Sequence, residues 1–325
     1  MRTQPCHLSS RLPSYNKLVC LPQHLGLTVS IGLIGVAQLH AQLAQQAQPA
    51  SEARAEVVPV VLERGADYRV VEWVQAATDE AGDPITATNQ FTMVASGLHY
   101  LDSEGQWRET VSEFVPVENG FVAARGPHQV ALSSDIATPG AVTVVTAEGQ
   151  TLTSNPTLLA YVDRATGQSV HLAALKSSRG EQVEAGTILY ADAFDLVSAS
   201  VRAVYRASGF ECDVILHRQL PDPAQFGLNP ETTDLAVYSE FFGTQPSAAV
   251  AREVPVGTEE KAVDTQLTFG PMVMDRGRAF VLESGSEAPE VPVRKTWERL
   301  ENRDFLIERT SYRDLRPLLR DLPEA

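Results

Sequence analysis

From residue 68 onward, short apolar runs alternate with turn residues at intervals that suit an antiparallel sandwich or barrel. The clearest alternation is FECDVIL at 210–216, where Phe210, Cys212, Val214 and Leu216 share one face and Glu211 and Asp213 the other. Cys212 is therefore expected to be buried, as a small hydrophobe and not a nucleophile. A hairpin is expected at 161–175, where the turn Arg164-Ala165-Thr166-Gly167 supplies a glycine for positive φ. Residues 142–153 repeat the plan as VTVVT, AEGQ and TLT, and residues 114–123 turn on Asn119-Gly120. Another strand pair is expected at 294–300 and 305–312, joined by Glu301-Asn302-Arg303-Asp304. Only 313–322 (RDLRPLLRDL) reads as helix, kept short by Pro317. The expected fold class is all-β: antiparallel sandwich built from many hairpins, with one short C-terminal helix.

The longest irregular stretch is 220–234 (LPDPAQFGLNPETTD), where Pro221, Pro223 and Pro230 exclude a central strand. It is expected to connect two sheets, anchored by Phe226 and Leu228, and it marks where the 67–325 module would divide if it held two sub-domains. Residues 42–66 are rich in Ala, Gln and Glu and hold no aromatic residue. They cannot bury enough apolar surface to offset their ordering entropy and are expected to form a linker, with an edge strand at 57–62.

The N-terminus has a different pattern. Residues 1–24 are basic and free of acids, and 25–39 (LGLTVSIGLIGVAQL) is a continuous apolar run. A run of about 15 residues falls short of the roughly 20 needed to cross a bilayer core. Its lack of a polar face speaks against a core helix. A secretory leader over residues 1–41 is expected, cleaved after Ala41 with Ala44 as second choice, so the chain is expected to be exported to the periplasm, cell surface or medium, with no membrane span in the mature part. Cys20 precedes the apolar run, where a lipid-attachment cysteine would follow it. Cys6 and Cys20 fall in the leader, so Cys212 alone remains and no intramolecular disulfide is expected.

Composition sharpens this picture. The chain is 43% hydrophobic and 21% charged, the balance of a globular protein. Net charge is −15, with Arg2, Arg11 and Lys17 in the leader, which leaves −18 on the rest. Such a field repels phosphate backbones, so nucleic acid is not expected as a partner.

Candidate chemistry is sparse. His99, His128, His171 and His217 are widely spaced with no HExxH, CxxC or HxH, so neither a metal nor another cofactor is expected. His128 alternates with Val130 and Leu132 as a hydrogen-bonded core histidine would. Asp102-Ser103-Glu104-Gly105 holds fragments of a calcium loop, but a hairpin turn explains it better. Ser96-Gly97 with His99, and Glu283-Ser284-Gly285-Ser286, lack the GxSxG elbow of a hydrolase. No glycine-rich phosphate loop occurs, and no catalytic residue is nominated. Trp73, Trp107 and Trp297 are the candidates for stacking against a sugar. Trp107 lies in strand register with Glu109 and Val111, and packing is the expected use of each of the three.

His99-Tyr100, Asp102, Gly105-Gln106-Trp107 and Asn119-Gly120-Phe121 together resemble a hairpin pattern near the N-termini of large secreted bacterial proteins with RHS/YD repeats. A wider similarity runs from Gly97 through Ser208-Gly209-Phe210 and FGLNP at 226–230 to FLIE at 305–308. It is to a β-rich N-terminal module of giant exoproteins, for which no catalytic residues are known. The chain departs from that pattern by stopping at Leu322-Pro323-Glu324-Ala325 without YD repeats. The resemblance implies an extracellular accessory role: scaffolding, surface display or adhesion. The expected function is a secreted, non-enzymatic structural or interaction module whose partner is an extracellular protein or glycan. Alternatives are a lectin-like carbohydrate-binding sandwich and a secreted glycoside hydrolase using two carboxylates.

Overall fold

The computed structural model describes residues 18–20, 25–26, 59–78, 82–256, 260–282 and 289–324. The cleavage point after Ala41, nearly all of the apolar leader run, residues 42–58 of the linker and the 283–286 segment lie outside them. Two short strands, β1 (Leu18–Cys20) and β2 (Leu25–Gly26), come first. A three-stranded antiparallel sheet follows: β3 (Val60–Gly65), β4 (Tyr68–Thr78) and β5 (Pro84–Val94). Among the described residues, β3 begins at Val60 and overlaps the edge strand expected at 57–62. A small hairpin, β6 (His99–Leu101) with β7 (Trp107–Glu109), leads into the body of the molecule.

The body is an all-β sandwich. Its strands are β8 (Val115–Val117), β9 (Gly120–Ala123), β10 (Gln129–Ser133), β11 (Val142–Val145), β12 (Thr151–Asp163) and β13 (Ser169–Ala174). Then come β14 (Gly180–Glu184), β15 (Thr187–Tyr190), β16 (Ala199–Arg206), β17 (Gly209–Leu216) and β18 (Thr233–Phe241). The last are β19 (Ala248–Val256), β20 (Glu260–Phe269), β21 (Met272–Met274), β22 (Gly277–Val281), β23 (Val291–Leu300) and β24 (Arg303–Ser311). One helix, α1 (Tyr312–Leu319), closes the chain.

The first layer runs β8, β9, β10, β11, β12, β18, β24, β23, with β13 beside β11 along the same edge of β12. The second runs β14, β15, β16, β17, then β1 and β2, then β22 and β21, with β20 and β19 beyond β21. All these pairings are antiparallel. Strand β23 joins the layers: Val291 and Val293 pair with β22, whereas Arg294 to Leu300 pair with β24. A strand that switches sheets makes the corner of the sandwich.

Both layers feed one continuous core. Leu152, Leu159, Tyr161, Leu235 and Leu306 come from the first, and Tyr205, Phe210, Val214, Leu216 and Phe269 from the second. Residues on both sides of the 220–234 loop belong to this core, and β12 pairs with β18 across it. In the loop, Pro223–Phe226 form a 3-10 turn capped by Asp222, and Gly227 leaves it at φ 76°. Leu228 is buried in the core, and Phe226 packs edge-on against Tyr161 at 6.3 Å.

Turn chemistry explains several junctions. Glu301 and Asn302 both have positive φ, 48° and 62°, so β23 and β24 meet in a two-residue turn of the type that matches strand twist. That is why Arg303 and Asp304, expected in the turn, are paired in β24 instead. Gly120 is required by close approach: a Cβ there would stand 1.8 Å from the Leu132 carbonyl oxygen. Helix α1 begins one residue earlier than expected because Ser311 caps it, its Oγ accepting from the Asp314 N–H. Leu315, Leu318 and Leu319 bury its inner face.

The interior also holds charge. Asp234 is fully buried and accepts from Arg164 Nη1 at 2.5 Å and Arg294 Nη2 at 2.6 Å. Asp213 lies on the face of β17 opposite the core, as the alternation predicts, yet it too is buried, held by Arg202 Nε at 3.0 Å and Nη2 at 2.6 Å. Lys295 is wholly buried with Nζ 3.5 Å from Asp264 Oδ1, and burial lowers its pKa.

Candidate functional site

The three tryptophans occupy three different environments. Trp297 on β23 packs against Phe241 and Phe269, with ring centroids 4.9 and 6.0 Å away, and serves the core as expected. Trp73 and Trp107 depart from that expectation: they are 42% and 37% exposed. Among the described residues, no ring contact joins any two of the three.

Trp107 stands opposite Leu101 in the β6–β7 hairpin and lines a cleft of about 560 Å³. Tyr100, Leu101 and Pro127 add apolar and aromatic wall; Gln129, Thr146 and Ser103 add polar groups. An aromatic wall with a few polar groups in a cleft of this size matches what a sugar or a peptide side chain requires.

The acid beside the cleft is occupied. Asp102 Oδ1 accepts from the Glu104 and Gln106 N–H groups, each at 2.9 Å, and Arg108 Nε donates to Oδ2 at 2.6 Å. The Arg108 hydrogen bond, with the backbone donors, lowers the Asp102 pKa. Gly105 completes the turn at φ 71°. These residues therefore form the hairpin turn read in the sequence, with both carboxylate oxygens committed to it. Among the described residues, no group of three or more His, Cys, Asp or Glu is placed to hold a metal ion.

The histidines are structural in their contacts. His99 is buried, with Nδ1 2.9 Å from the Gly65 carbonyl oxygen, and its neighbour Gly97 donates its N–H to Asp67 Oδ1 at 2.7 Å. His128 is buried against Tyr205, centroids 4.8 Å apart, and burial pushes its pKa down to about 4. His217 Nε2 lies 2.7 Å from Ser200 Oγ. Cys212 is 8% exposed within the core, and burial raises its thiol pKa.

The second surface feature was not legible in the sequence. In the β3–β4–β5 sheet, register places Val71 opposite Phe91, Trp73 opposite Asn89 and Ala77 opposite Ile85, so these residues share one face. Trp73 meets Phe91 edge-on at 5.5 Å, and Phe91 and Ile85 are 40% and 44% exposed. The opposite face carries Glu72, hydrogen-bonded to Gln90 at 2.7 Å, and Tyr68, bonded to Glu63 at 2.5 Å. The sheet is joined to the β6–β7 hairpin by the His99 N–H, which donates to the Ala66 carbonyl oxygen at 3.0 Å, and by the Arg69–Glu109 ion pair at 3.0 Å.

Together these features define an acidic all-β sandwich with a largely exposed three-stranded sheet that carries an aromatic pair, and a Trp-lined cleft at its base. Comparison with protein-family models, curated proteins and solved structures gives no significant match to the chain. No helix among the described residues is long and apolar enough to cross a membrane.

Proposed function

We propose that this chain is an exported, non-enzymatic interaction module that contacts an extracellular protein through the apolar face of the β3–β4–β5 sheet. The observation that carries this reading is the exposed Trp73–Phe91 aromatic pair with Ile85 on one face of β4 and β5. Aromatic residues are enriched at the centres of protein interfaces, and neighbouring exposed apolar groups are more informative than single ones. The basic, acid-free N-terminus with its apolar run supports export. The resemblance to the β-rich module of RHS/YD exoproteins supports an accessory role outside the cell.

The partner is tested by placing a photo-crosslinking residue at position 91 and, as a control, at the exposed Glu181 on β14. Selective adducts with one surface or secreted protein from position 91 alone support the reading. Equal labelling from both positions contradicts it.

A second reading, glycan recognition, is favoured by the exposure of Trp107 in the cleft with Tyr100 and Gln129. Sugar binding there would be abolished by Trp107→Ala and untouched by Trp73→Ser.

A further inference from the structure

The second layer of the sandwich is completed by an unusual element. Among the described residues, β1 and β2, from the first 26 residues of the chain, are what lies between β17 and the β21–β22 edge. Leu18, Val19 and Cys20 pair with Leu216, Ile215 and Val214, and Leu25 and Gly26 pair with Phe210 and Gly209. On the other side, Leu18 pairs with Val281, Val19 with Phe280 and Leu25 with Met274, all in one register. The register against β17 changes by one residue between the two stretches.

Strands that share a neighbour stand two spacings apart, roughly 9.6 Å, too far to bond each other. Thus β17 and β21–β22 frame a gap one strand wide. Its walls are core: Phe210, Val214, Leu216, Met274 and Ala279 are all buried. The register positions opposite Leu216, Val214 and Phe210 are held by Leu18, Cys20 and Leu25. An empty gap would leave two facing rows of N–H and C=O groups without partners in a low-polarity setting, which is costly. An extended apolar segment relieves that cost by strand addition.

We propose that this gap is a strand-binding slot, that its occupants are the chain's own stretches 18–20 and 25–26, and that removal of a leader ending at Ala41 vacates it. The first two parts stand on the pairing alone; the third rests on the export reading. Processing would then convert a closed sandwich into one with an open site for an extended apolar strand.

The test uses residues 42–325 and a labelled synthetic peptide of residues 16–28. Saturable binding is expected, with amide exchange of Gly209–Leu216 slowed at least tenfold, and with binding at least tenfold weaker for a Val19→Pro peptide. If the 42–325 chain folds and does not bind the peptide, the slot is overturned. If that chain folds only when the peptide is added, the slot is supported. If it does not fold at all, the full chain with Val19→Pro decides: a lower denaturation midpoint with faster exchange in β17 supports the slot, and unchanged values overturn it. The mass of the exported product tests the third part separately. A product beginning at Gln42 supports vacating, and one that retains residues 18–26 overturns that part alone.

Discussion

Asp234 is the point at which single residues matter most. It sits without solvent between Arg164 and Arg294, so replacing it removes the carboxylate to which both guanidinium groups donate. Removing one partner of a buried ion network costs about 3–5 kcal/mol. Asp234→Ala should therefore lower the urea stability of the chain by about that amount, whereas loss of the exposed Lys261–Glu253 pair should change it by less than about 1 kcal/mol. His128 gives a pH signature. Its pKa is about 4 in the fold against 6.5 when free, because burial disfavours the charged ring. The unfolded chain then binds the extra proton between those values. The contribution is full above pH 6.5 and is lost as pH falls towards 4, amounting to about 3 kcal/mol. A His128→Phe variant should lose correspondingly less stability over that window, measured by denaturant midpoints at both ends. Burial of Cys212 was legible from alternation with Phe210 and Val214. Burial of Asp213 was not, because a charge on the outer face reads as solvated until Arg202 is known to stand beside it across the strand pair.

Hairpins were the most legible elements, since their turns and alternation lie within a dozen residues. The expected strand pairs around 119–120, 146–150 and 164–167 are β8–β9, β11–β12 and β12–β13. Pairings that close long loops were not legible: β12 with β18, β18 with β24, and the corner made by β23 depend on register between distant segments. The exposed face of β3–β5 was hidden for a related reason. Trp73 and Phe91 share it only because β4 and β5 pair in one register, and nothing local to either residue reports this. A sheet with few buried apolar groups opens easily. Amides of β5, almost all exposed, should exchange on the order of a hundredfold faster than those of β12 and β18, whose residues are largely buried. Equal protection in β5 and β12 would mean that the exposed sheet is covered in solution.

For the whole molecule, one core spans both layers of the body, and the net charge is −15. The exposed sheet and the cleft near its base each bring a tryptophan to solvent. They predict different ligands through different tryptophans. The direct measurement is an array carrying both extracellular proteins and glycans, probed with the wild-type chain, Trp73→Ser and Trp107→Ala. The account predicts selective binding to a protein target that falls at least tenfold in Trp73→Ser and survives in Trp107→Ala. Selective glycan binding that is lost in Trp107→Ala and unaffected in Trp73→Ser would contradict it and make the cleft the functional site.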